Sequence, residues 1–95
     1  MRGPRIGAWF RREDYEALKK LSPNEPDLPD TFDEWEQIAT KQVAEIKTAG
    51  GLVEKVIIDP QEFAIWCRAS GVKPNSVNRS AFAVQKHFGQ QRGGA

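Results

Sequence analysis

The segment from Leu52 to Ile58 constrains this chain more than any other. Val53, Val56, Ile57 and Ile58 concentrate β-branched side chains in a length too short for a stable helix, so the segment reads as a strand. A lone strand leaves both of its rows of backbone donors and acceptors unpaired, and two strands alone make only a marginal sheet. The chain has 95 residues, enough for one hydrophobic core and too few for two, so a single domain is expected. The only other strand candidate is Ile6 to Phe10, a short apolar segment containing Gly7. Either it pairs with the first strand to give a two-stranded sheet covered by helices, or a symmetric second chain completes the sheet. Apolar residues on both faces of Leu52 to Ile58 point to a covered strand rather than an exposed edge. Val53, Lys55, Val56, Ile57 and Ile58 are therefore the residues assigned to an oligomer-forming strand.

The rest of the pattern is helical. Tyr15, Leu18 and Leu21 recur every three residues within a charged stretch, predicting a short helix over Glu13 to Leu21. Pro23, Pro26 and Pro29 make residues 22–30 a stiffened loop. Thr31 and Glu34 stand at capping-box spacing ahead of a helix from Phe32 to Ala49. Its core face carries Phe32, Trp35, Ala39, Val43 and Ile46, and Gly50 and Gly51 stop it. Asp59, Pro60 and Glu62 start a third helix whose stripe is Phe63, Trp66 and Cys67, ended by Gly71 and Pro74. A fourth begins near Asn75 or Ser76. In it Val77, Ala81, Val84 and Phe88 form a regular apolar seam before Gly89 and a polar tail. The expected fold is α+β and mostly helical, with about four helices, one or two strands per chain, and flexible ends at residues 1–5 and 90–95.

With 39% hydrophobic and 28% charged residues, the composition is that of an ordinary globular domain rather than a disordered or disulfide-dense one. No apolar run approaches the roughly 20 residues that span a bilayer, and no signal-peptide pattern opens the chain. A single cysteine, Cys67, fits a reducing compartment, so the cytoplasm is the expected location and no membrane partner is expected. The net charge of +1 conceals a segregation. Residues 1–12 carry Arg2, Arg5, Arg11 and Arg12 with no acid, and residues 73–95 carry Lys73, Arg79, Lys86 and Arg92 with none. Nine carboxylates crowd residues 13–40 against Lys19 and Lys20.

Candidate chemistry is sparse. Cys67 and His87 are the only residues of their types, and Cys67 falls on the inferred buried stripe, where a thiol behaves as a small apolar group. Asp33, Glu34 and Glu36 sit in the first turn of a helix, where the backbone dipole favours negative charge. Asp59 and Glu62 are accounted for by capping. There is no glycine-rich phosphate loop, zinc-protease helix or serine elbow. No catalytic residue, metal site or cofactor is assigned, and the chain reads as non-catalytic. Trp9 and Phe10 beside Arg11 and Arg12 juxtapose aromatic and basic groups in the way single-stranded nucleic acid is held, although packing of the aromatics accounts for the same residues. Arg79 and Lys86 add positive charge on the last helix.

The order strand, proline-initiated helix, glycine turn and amphipathic helix over Leu52 to Phe88 resembles the ribbon-helix-helix family of dimeric DNA-binding repressors. That resemblance implies a strand paired with its twofold mate and facing the DNA major groove, which gives groove-facing roles to Glu54 and Lys55. It covers less than half of the chain, and the acidic helices before residue 50 have no counterpart in it. Tyr15, Phe32 to Trp35 and the run Asp59, Pro60, Phe63, Trp66, Cys67 are similar to small bacterial proteins of unknown function, a resemblance that implies no activity. The leading expectation is a homo-oligomeric protein or protein-interaction module. The alternative is a nucleic-acid-binding regulator using Arg11, Arg12, Lys55, Arg79 and Lys86.

Overall fold

The structure is a computed structural model that describes residues 4–23 and 25–93, the last four of these by backbone alone. Strand β1 (Arg5–Trp9) leads through a 3-10 turn (Arg12–Asp14) into helix α1 (Tyr15–Leu21). After the proline loop come α2 (Phe32–Thr48), strand β2 (Val53–Ile57), α3 (Pro60–Ser70) and α4 (Ser76–Gly93). The expected α+β, mostly helical architecture is the one observed.

β1 and β2 pair with each other, and they do so in parallel, Arg5 opposite Val53 and Trp9 opposite Ile57. Parallel strands need a long crossover connection. The 43 residues between them supply it as α1, the proline loop and α2. The return from α2 into β2 is tight: Gly50 has a φ of +89°, and a Cβ on Gly51 would stand 2.7 Å from Ile46 Cγ2. Only glycine meets both demands cheaply.

Capping fixes where the helices start. The Glu34 amide donates to Thr31 Oγ1 at 3.1 Å, and the Thr31 hydroxyl donates to Glu34 Oε1 at 3.0 Å. Asp59 Oδ1 accepts from the amides of Gln61 and Glu62 at 2.9 and 3.0 Å. Glu62 does not reach back to complete that box; its carboxylate binds Lys86 Nζ across to α4 at 2.7 Å. Asn75 Oδ1 accepts from the Asn78 amide at the start of α4.

Two aromatic groups flank the sheet. Trp9, Phe10, Tyr15, Phe32 and Trp35 interlock with ring centroids 4.6–6.3 Å apart, and Phe63, Trp66 and Phe82 form a second set at 5.4–6.2 Å. Tyr15, Leu18, Ile58 and Phe63 are fully enclosed. The Tyr15 hydroxyl donates to Pro29 O at 2.5 Å, tying α1 to the proline loop. α4 packs chiefly on β1, with lighter contact on β2 and α3, while α2 approaches β2.

Four expectations need correction. β2 is an exposed edge, because the sheet among the described residues stops at two strands; Ile57 and Leu52 are exposed, and only Val56 and Ile58 point into the core. The core face of α2 is fully buried only at Trp35 and Ala39, since Val43 and Ile46 border an open cleft beside β1 and stay half-exposed. Helix α4 continues through Gln90–Arg92 instead of ending at Gly89, as helix-favouring side chains permit. Arg5, assigned to a flexible end, opens β1; the remaining terminal expectation, for residues 1–3, 94 and 95, lies outside the described residues.

Candidate functional site

The largest correction concerns the two faces of α4. Arg79, Phe82, Ala83 and Lys86 lie at i, i+3, i+4 and i+7 and face inward, whereas the seam Val77, Ala81, Val84 and Phe88 faces outward. Val77 is 74% exposed and Phe88 52%, while Arg79 is only 4% exposed. Burying a guanidinium is costly unless it is paired and hydrogen-bonded. Here its Nη2 lies 3.7 Å from Glu25 Oε1, its Nη1 donates to Ser22 Oγ at 3.3 Å, and its carbon is 5.9 Å from the Phe10 ring centroid. Burial lowers the Arg79 pKa, and the nearby Glu25 and Asp27 oppose that shift. The Ser22 hydroxyl in turn donates to Pro74 O, and Glu25 Oε1 also accepts the Ser76 amide at 3.1 Å. The proline loop therefore anchors the start of α4 and makes it possible for an arginine to occupy a core position.

The other residues singled out for nucleic-acid contact are likewise engaged. Arg11 holds Asp14 at 2.7 Å and Asp59 at 3.4 Å, joining the exit of β1 to the start of α3. Arg12 holds Asp33 at 2.7 Å and lies 4.7 Å above the Phe32 ring, fastening the same turn to α2. The hydrogen-bonded carboxylates raise the pKa of both arginines. Lys86 binds Glu62 and also donates to Ile57 O at 3.3 Å. Lys55 lies 4.2 Å above the Trp9 ring. Thus Arg11, Arg12, Arg79 and Lys86 are each paired with a carboxylate, Arg11 and Arg12 at the exposed surface and Arg79 in the interior.

The residues assigned to an oligomer strand divide between two environments. Val56 and Ile58 are in the chain's own core; Val53 is half-buried, and Lys55 and Ile57 are exposed. The outer backbone row of β2 is the one carried by Val53, Lys55 and Ile57, and Lys86 already occupies Ile57 O. Charged side chains at an edge discourage strand-to-strand association, and Glu54 and Lys55 stand in the middle of this one. Cys67 is buried, and desolvation raises its thiol pKa; His87 is half-buried with its ring 5.4 Å from that of Phe88.

Two clefts remain. A shallow one of about 660 Å³ lies between α1 and α3, around Ala17, Leu21, Asp59 and Ile65. The other, of about 630 Å³, runs along the whole length of β1 and reaches Val53 of β2 at the Arg5 end. One wall is α2 from Trp35 to Ile46, the other is the start of α4 at Ser76, Arg79 and Ser80, and the loop at residues 26–29 contributes to its lining. Among the described residues no helix is long and apolar enough to cross a membrane. Comparison with protein-family models, with curated proteins and with solved structures yields no match for this chain.

Proposed function

We propose that this protein is a non-catalytic interaction module that pairs with a second copy of itself along the outward face of α4. The supporting observation is the unpartnered seam of Val77, Ala81, Val84 and Phe88. Its steps of four, three and four residues are those of the a and d positions of a coiled coil, a spacing suited to another helix. The residues flanking the seam are Asn78, Ser80, Gln85 and His87. None is acidic and none is a lysine or arginine, so two identical helices meet without the like-charge repulsion that would favour a different partner.

Light scattering over a dilution series tests this reading. The mean mass should rise from 10.7 kDa toward twice that value with concentration, and Val84→Glu should hold the protein at the monomer mass without loss of helical signal. A concentration-independent monomer would refute it. The nucleic-acid reading requires cations available to phosphate, and the burial of Arg79 against Glu25 and the engagement of Lys86 by Glu62 and Ile57 O count against it.

A further inference from the structure

The unpaired edge of β1 forms one side of the cleft between α2 and α4. In the parallel ladder the Arg5 amide donates to Leu52 O and the Ile58 amide donates to Trp9 O, both at 2.9 Å. Backbone direction alternates along a strand, so Arg5, Gly7 and Trp9 turn their donors and acceptors toward β2, and Ile6 and Ala8 turn theirs into the cleft. No other backbone hydrogen bond involves Ile6 or Ala8 among the described residues. Trp35, Ile38, Ala39, Val43 and Ile46 supply an apolar wall, with Ile38 51% exposed. Unlike the β2 edge, this edge carries no charged side chain between its first and last residues.

We infer that the cleft binds an extended peptide segment of another protein, added as a third strand antiparallel to β1. The chemistry of an unpaired strand edge is complementary to a peptide backbone, and alternate side chains of the added strand face the α2 wall. Charge sets the direction. Arg5, at the start of β1, lines the cleft and has no ion pair among the described residues. Near the other end, beside Phe10, Arg79 is faced by both Glu25 and Asp27, and Asp27 also lines the cleft. Glu25, outside the cleft, takes up the Arg79 charge, and Asp27 is the carboxylate that this end of the cleft presents. An antiparallel peptide puts its C-terminal carboxylate at Arg5 and its amino-terminal side near Asp27. Five residues of β1 match a peptide of about five or six extended residues at roughly 3.4 Å each.

The test uses a fluorescein-tagged peptide with lysine at its amino-terminal side, then alternating valine and threonine, and a free terminal carboxylate. Anisotropy should report saturable binding, and Ala8→Pro should weaken it at least about tenfold, because it removes a cleft-facing N–H while leaving the ladder to β2 intact. Ile38→Asp, at an exposed position of the wall, should weaken binding similarly, with circular dichroism confirming an unchanged fold. Arg5→Gln and amidation of the peptide should each reduce affinity, and the two losses should not add. Absence of binding at millimolar peptide would overturn the inference, as would unchanged affinity in Ile38→Asp together with folded Ala8→Pro. Loss of self-association in peptide-free Ala8→Pro would overturn it too, by assigning the edge to a second copy.

Discussion

Arg79 shows how far one residue's role depends on its surroundings. From sequence it belonged to a charged helix surface; in the fold it is enclosed by Ser22, Glu25 and Phe10. The signal that would have revealed this is a carboxylate 54 residues earlier in a loop without regular structure, which no local pattern connects to α4. Removing one partner of a buried pair leaves the other uncompensated. Arg79→Ala should therefore lower stability by about 3 kcal/mol in urea titration, whereas Arg12→Ala, at an exposed ion pair, should leave the midpoint almost unchanged. Burial raises the pKa values of Tyr15 and Cys67 above their ordinary levels. The unfolded chain thus releases these protons first, and their contribution to stability is complete below the unfolded-state values and lost as pH rises through the folded ones. Urea midpoints should fall as pH rises above about 9, and Tyr15→Phe should reduce that fall.

Elements were legible wherever one local signal sufficed. Thr31, Asp59 and the glycine pair at 50–51 marked helix boundaries that the structure reproduces within a residue or two, because caps and left-handed turns are determined by the residues beside them. Asp59→Ala should cost about 1 kcal/mol by thermal or urea unfolding, since it leaves the Gln61 and Glu62 amides without their acceptor. The parallel direction of β1 and β2 was not legible; it depends on how a 43-residue crossover packs rather than on either strand's composition. The orientation of α4 was hidden for a related reason. The helix carries apolar residues on two opposite faces, Phe82 with Ala83 and the Val77-to-Phe88 seam, and periodicity identifies a stripe without saying which one meets the core. The more regular stripe proved to be the exposed one. The two clefts were equally hidden, because each is formed by residues distant in sequence.

At the scale of the whole molecule, pairing with β1 gives β2 a partner within its own chain, so a second copy is not needed to form the sheet. The pressure toward assembly moves from the strand to α4, whose exposed seam is the surface a matching helix would cover. Phe63→Ala, at the centre of the enclosed core, should cost about 3 to 5 kcal/mol and lower the melting temperature without altering which surface associates. Amide chemical shifts recorded while the protein is diluted locate that surface directly. The shifts that change should cluster on α4 at Val77, Ser80, Ala81, Val84, Gln85 and Phe88. Concentration-dependent shifts confined to Val53, Lys55 and Ile57, or no concentration dependence anywhere, would contradict pairing through α4.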